Sequence, residues 1–176
     1  MISNHPHEQR FAAWLEAHGA IPRQLSRAYA PEPADEADLH QEMLVQLWRS
    51  LPRYRAQAKP STWIYRVCLN TGLTWRRTEG RRKARVVAQP EPIETASTSE
   101  IGPADAQEQQ DLMAKLMHAI RGLPPGDRSL VVLALDGLNY REMGEITGMT
   151  ENHVGVALTR ARKKLALALK EVSDEF

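Results

Sequence analysis

Apolar residues recur along the chain at steps of three and four, and no stretch sustains the two-residue alternation of a half-buried strand, so the pattern predicts an all-α protein. The periodicity falls into two blocks, one from about Glu8 to Arg85 and one from about Gln109 to Glu171. Between them, Val86 to Glu108 carries Pro90, Pro92, Gly102 and Pro103 among Ser, Thr, Ala and acids, with no apolar period. That is the composition of a flexible linker. The expected architecture is two small helical domains joined by a flexible acidic linker, with limits at 1–85, 86–108 and 109–176.

In the first block, Leu39, Met43, Leu44, Leu47, Trp48 and Leu51 form the core-facing stripe of one helix. The opposite face carries Asp38, Gln41, Glu42, Val45 and Arg49, an apolar side chain among charged and amide groups. A turn follows at Leu51-Pro52, and Pro60-Ser61-Thr62 marks a second helix start, with Ser61 or Thr62 able to cap it. This helix is expected from Trp63 to about Arg77, with Ile64, Val67, Cys68, Thr71 and Trp75 inward and Trp63, Arg66, Asn70, Thr74 and Arg77 on a neighbouring stripe. A ring, an amide and cations on one face suit melted DNA, because rings stack on bases and Arg pairs with phosphate. A purely structural Trp63, packed in the core, is the alternative.

The second block holds a sharper pattern. Leu123-Pro124-Pro125-Gly126-Asp127 opens a helix from Arg128 to about Leu135 that Gly137 can end. A short helix from Tyr140 to Thr147, a tight turn at Gly148-Met149-Thr150 and a long helix from Glu151 to about Leu169 follow. Gly144 permits close approach, Gly148 suits a left-handed turn position, and Ile146, Met149, Val154 and Leu158 supply a shared core. The expected motif is a helix-turn-helix, whose second helix lies in the major groove. Capped by Thr150, that helix would present Thr150, Glu151, Asn152 and His153 to bases or phosphates, with Tyr140 of the preceding helix and Thr159 as further contacts, while Arg160, Arg162, Lys163 and Lys164 hold the DNA backbone.

Net charge is only +1, but the charges are segregated. Five acids and no Lys or Arg lie between Ala30 and Trp48; eleven Lys or Arg face Glu79 alone between Arg49 and Arg85; six unopposed acids, Glu91, Glu94, Glu100, Asp105, Glu108 and Asp111, follow. Blocks of this length mark surfaces with different partners. The single Cys68 excludes an internal disulfide and fits buried packing. No apolar run approaches the ~20 residues needed to cross a bilayer, and the polar N-terminus lacks a signal-peptide core, so a cytoplasmic protein without membrane insertion is expected. No metal-ligand cluster, nucleophile-base set or phosphate-cradling glycine loop is legible, and His5 with His7 sits in a polar terminus. Neither an enzyme, a cofactor nor a metal site is expected.

Taken in order, these segments resemble the extracytoplasmic-function, or group IV, sigma-70-like RNA polymerase sigma factors, over nearly the whole chain. Asp35-Glu36-Ala37-Asp38-Leu39-His40-Gln41-Glu42 with Leu47-Trp48 is similar to the family segment that binds the clamp of the polymerase largest subunit. Tyr54-Arg55, Ser61-Thr62-Trp63-Ile64-Tyr65-Arg66, Asn70 and the basic run from Arg76 and Arg77 resemble its minus-ten recognition and melting segment. Leu123-Pro124-Pro125, Gly137-Leu138-Asn139-Tyr140-Arg141-Glu142-Met143 and Arg160-Ala161-Arg162 resemble its minus-thirty-five domain. The resemblance implies a transcription initiation factor whose partners are core polymerase (the clamp and the flap of the second-largest subunit), promoter DNA and, in this family, an anti-sigma factor. It implies polymerase binding by Asp38, Gln41, Glu42, Val45 and Arg49, with extruded bases held near the loop from Tyr54 to Ser61.

Three features depart from the family pattern. Ile64 replaces the second of the two adjacent tryptophans of primary sigma factors, Thr74 replaces a common Asp, and Gly155-Val156-Ala157 stands where the recognition helix usually has basic or hydroxyl residues. Promoter elements one and a half to two duplex turns apart are separated by about 50–70 Å. A 23-residue linker reaches at most ~75 Å when stretched. The promoter-bound domains are therefore expected to be held apart by the polymerase, with the acidic linker threaded through a basic channel. A helix-turn-helix regulator acting without polymerase, and a sigma-like decoy, remain the alternatives.

Overall fold

The computed structural model describes residues 5–86 and 104–174. Eight α-helices follow in order: α1 (His5–His18), α2 (Ala20–Tyr29), α3 (Glu36–Ser50), α4 (Pro60–Val86), α5 (Ala104–Gly122), α6 (Pro125–Leu135), α7 (Tyr140–Thr147) and α8 (Glu151–Asp174). Short 3-10 turns at Pro33–Asp35 and Leu51–Arg53 flank α3. No strand occurs among the described residues.

The N-terminal block is α1 to α4. Leu39, Met43 and Leu47 of α3 recur every four residues and are buried against Ile64, Cys68 and Leu69 of α4 and Leu25, Ala28 and Tyr29 of α2. Burying each such leucine stabilises the fold by about 1.5–3 kcal/mol before the entropy of ordering it is subtracted. Of the stripe expected on α3, Leu44 and Trp48 are only half-buried; Phe11 meets the Trp48 ring edge-on at 5.3 Å. On α4, Cys68 is buried as expected, whereas Thr71 and Trp75 are half-buried.

The C-terminal block is α5 to α8, with Ile120, Leu130, Leu133, Met143, Val154, Leu158 and Ala161 at its centre. Its keystone is Arg128, 1% exposed. Its guanidinium donates to the carbonyls of Ile120 (3.1 Å), Arg121 and Leu123 (3.0 Å), around the end of α5 where helical donors run out. Burial lowers the Arg128 pKa to about 10, so it stays cationic at neutral pH.

Element limits differ from the sequence pattern in several places, among them the end of α8, at Asp174 rather than about Leu169. α4 opens at Pro60, where the Trp63 amide donates to the Lys59 carbonyl (3.1 Å), so Ser61 and Thr62 lie inside the first turn rather than capping it. The same helix continues to Val86, its polar second half running through Gly80 with no proline until Pro90. α5 starts at Ala104, before the expected Gln109, and α6 starts at Pro125, whose missing N–H suits a first helical position. The linker acids Glu91, Glu94 and Glu100 lie outside the described residues.

The two blocks are packed together rather than apart. Tyr29 of α2, fully buried, places its hydroxyl 2.5 Å from the Ser129 Oγ of α6, which in turn donates to the Pro125 carbonyl (3.0 Å). Tyr65 of α4 donates to Asp136 Oδ2 (2.8 Å), and Arg121 donates to the Arg27 carbonyl (3.0 Å). The separated arrangement expected on a promoter is thus not the arrangement of the free chain.

Candidate nucleic-acid interface

On α3, Asp38, Gln41 and Arg49 are exposed and Glu42 and Val45 half-buried, all on the side away from Leu39, Met43 and Leu47. Gln46 donates to Glu42 Oε1 (2.7 Å) and fixes that carboxylate. Glu42 and Arg49 line a groove of about 710 Å³ together with Asn70, Thr74 and Trp75 of α4. The structure therefore brings two of the expected polymerase contacts and one expected DNA contact into one depression. The indole N–H of Trp75, which also lines it, is buried without a hydrogen-bond partner.

The other expected minus-ten residues separate into three settings. Tyr54 and Trp63 belong to an aromatic cluster: the Tyr54 ring meets Trp14 edge-on at 4.8 Å and Trp63 at 5.6 Å. Their polar atoms are engaged, Tyr54 donating to the Ala58 carbonyl (2.8 Å) and Trp63 Nε1 to Ser50 Oγ (3.0 Å). Both rings are half-buried and pack against the core of this block. Arg66 is turned to the other block, where Nε donates to the Glu145 carbonyl of α7 (2.9 Å). Ser61 is half-buried in the first turn of α4, Arg55 is exposed on the loop before it, and Arg76 and Arg77 lie further along α4, half-buried and exposed respectively.

The helix-turn-helix forms as the spacing predicts. Gly148 has φ 78°, the left-handed conformation that ends α7, and a Cβ on Gly144 would lie 2.6 Å from the Met149 carbonyl oxygen, so only glycine fits against the turn. Thr150 Oγ1 accepts from the His153 amide (3.3 Å), the expected cap of α8. Glu151, Asn152, His153, Thr159, Arg160, Arg162 and Lys163 are all exposed along α8. Tyr140 is 44% exposed, and Thr159 Oγ1 donates to the Gly155 carbonyl (2.9 Å).

Several participants escaped the sequence reading. Asn139 and Glu142 form a reciprocal capping box at the start of α7, and the Asn-x-x-Glu spacing could have signalled it. Lys59 pairs with Glu142 (3.6 Å) across the two blocks, and Asp136 receives Tyr65. No local pattern marks either contact, because both join residues far apart in the chain. Burial raises the Asp136 pKa, a tendency that the Tyr65 hydrogen bond opposes.

Residues 14–82 match the family model described as Sigma-70 region 2, and residues 113–165 match Sigma-70, region 4, in that order and on separate blocks. The chain is 32% identical over 145 residues to the ECF RNA polymerase sigma factor SigE of Mycolicibacterium smegmatis, covering 80% of this chain and 54% of that protein. The chain belongs to the sigma-70 family, as a sigma factor of the extracytoplasmic-function group. It is also similar to the ECF RNA polymerase sigma-E factors of Haemophilus influenzae (26% over 153 residues, 84% of this chain and 78% of that protein) and Escherichia coli K12 (28% over 147 residues, 80% and 76%). Thus it spans about half the length of the first of these relatives and about three quarters of the others.

Two solved structures share the fold of this sigma-70 family member. One is CnrH in complex with the cytosolic domain of CnrY (TM-score 0.62, 20% identity, 93% of this chain and 90% of that one). The other is the sigma factor RpoE in complex with the anti-sigma factor NepR from Bartonella quintana (TM-score 0.64, 19% identity, 93% and 96%). Region 2 contains the aromatic cluster and the α3–α4 groove, and region 4 contains the helix-turn-helix. No helix among the described residues is long and apolar enough to cross a membrane.

Proposed function

We propose that this chain acts as an alternative sigma factor, a non-enzymatic cytoplasmic subunit that binds core RNA polymerase and directs it to a class of promoters. The observation that carries this reading is the pairing, in one chain, of an exposed basic helix-turn-helix with a region 2 whose α3 turns Asp38, Gln41, Val45 and Arg49 outward. A regulator acting on duplex DNA alone has no use for the second surface. In this reading residues 1–85 bind polymerase and the minus-ten element, 86–108 link the domains, and 109–176 bind the minus-thirty-five element. Asp38, Gln41, Glu42, Val45 and Arg49 meet the polymerase clamp, and region 4 meets the flap.

Tyr54, Arg55, Ser61, Trp63, Arg66, Asn70, Arg76 and Arg77 serve the minus-ten element, and Tyr140, Thr150, Glu151, Asn152, His153, Thr159, Arg160, Arg162 and Lys163 the minus-thirty-five element. Binding both elements requires the blocks to part, which releases Arg66 and Lys59 from α7. An anti-sigma protein is a natural further partner, since both fold neighbours were solved in complexes and NepR is named as an anti-sigma factor. The test is run-off transcription from genomic DNA by core polymerase with and without the full chain. New start sites that require the chain are expected; identical transcripts in both reactions would refute the proposal.

A further inference from the structure

Gly155, Val156 and Ala157 depart together from the family pattern, but the structure gives them three different tasks. Ala157 is 5% exposed and faces the core of region 4. Gly155 lies under the Tyr140 ring: a Cβ there would stand 3.2 Å from Tyr140 Cε2. Val156 packs into neither and is 55% exposed on α8. Four residues after Asn152 and three before Thr159, it shares their face, and it joins Tyr140, Glu151, Asn152, Gly155 and Thr159 around a shallow concavity of about 470 Å³.

We propose that Val156 is a specificity-determining residue that reads the C5 methyl group of a thymine in the upstream promoter element. This inference rests on the assignment of α8 as the minus-thirty-five reading helix. In the major groove the thymine methyl is the one apolar group that a base edge presents, and an apolar side chain matches it where a hydroxyl or a cation would select other edges.

The occupant is duplex DNA rather than an apolar protein surface. Leu167, 62% exposed, lies three helical turns further along the same side of α8, but the exposed cations Arg160 and Lys163 intervene. Those cations suit the phosphates that flank a groove and interrupt any continuous apolar seam.

The test uses holoenzyme assembled from core polymerase and the full chain. Templates with a randomised upstream element are selected by transcription, and each thymine on either strand of the selected element is then replaced by uracil, which removes only the methyl. One replacement is expected to lower initiation roughly fourfold, the scale of one methylene-sized apolar contact. In V156A the thymine-to-uracil ratio at that position should fall to about one. Because each ratio is taken within one protein variant, a general loss of activity in the variant divides out. A selected element with no methyl-sensitive position, or an unchanged ratio in V156A, would overturn the inference while leaving the sigma assignment intact. Absence of any chain-dependent transcript would defeat both.

Discussion

Arg66 donates its Nε–H to the main-chain carbonyl of Glu145 at 2.9 Å, so a cation of α4 is held by the backbone of the helix-turn-helix. One residue earlier, Tyr65 donates to Asp136. These contacts make the closed arrangement sensitive to a few polar atoms. Y65F leaves the Asp136 carboxylate without its donor and should loosen the docking by about 1 kcal/mol. D136N keeps an acceptor for Tyr65 and removes a charge disfavoured by burial, so it should leave the closed form intact or tighten it. Small-angle scattering of the free chain checks both, a larger radius of gyration being expected for Y65F alone.

The same carboxyl predicts a pH effect. Burial raises its pKa above the ordinary 3.8, so the closed state binds the proton more tightly than the open state. Docking should therefore be strongest with Asp136 protonated and weaken as pH rises from 3.8 through the raised value. A pH titration of the scattering radius should show this slope in the wild-type chain and lose it in D136N.

Arg128 should be among the most sensitive positions for stability. R128M takes their side-chain donor from the carbonyls of Arg121 and Leu123 and leaves that of Ile120 with the Leu123 amide alone, which costs on the order of 3 kcal/mol. Urea denaturation would show the loss; a fall in unfolding free energy smaller than about 1 kcal/mol would mean that water or neighbouring donors replace the guanidinium.

Cys68 provides a separate test of packing in region 2. Burial pushes its thiol from the ordinary 9.0 up to about 12, so the native chain should resist alkylation at pH 8 and react only on unfolding. Because the unfolded thiol ionises first, stability should fall as pH rises above 9.0, by a slope approaching about 1.4 kcal/mol per pH unit. The buried Tyr29 and Tyr65, raised from their ordinary 10.0, and Arg128, lowered to about 10, also titrate near this range, so the share of Cys68 is the difference between two slopes. Chemical denaturation between pH 8 and 10 should give a shallower fall in C68A than in the wild-type chain.

Gly155 should trade stability against recognition. G155A gains up to about 1 kcal/mol of helix stability, but its methyl displaces the exposed Tyr140 ring by a few tenths of an ångström. Thermal unfolding should show a small gain, and binding of the upstream element by holoenzyme should weaken.

Local grammar made region 4 the most legible part of the chain. Gly144, Gly148 and Thr150 each answer a steric or capping demand within a few residues, and all three occupy the places their chemistry indicates. The aromatic cluster was less legible, because Tyr54 and Trp63 are equally suited to stacking on bases and to packing on Trp14, and periodicity does not separate these uses. The closed interface left no trace in the sequence pattern: Tyr29, Ser129 and Asp136 are ordinary residues until folding brings them together. Gly155-Val156-Ala157 reads as one anomaly along the chain, and only the burial of its neighbours divides it into three positions.

Of the four carbonyls that Arg128 reaches, only that of Ala28, at 3.4 Å, belongs to the other block. Region 4 thus carries its own internal brace and gives up a single, long hydrogen bond from it when the halves come apart. Whatever pries this molecule open works against a latch and leaves the frame of the door standing.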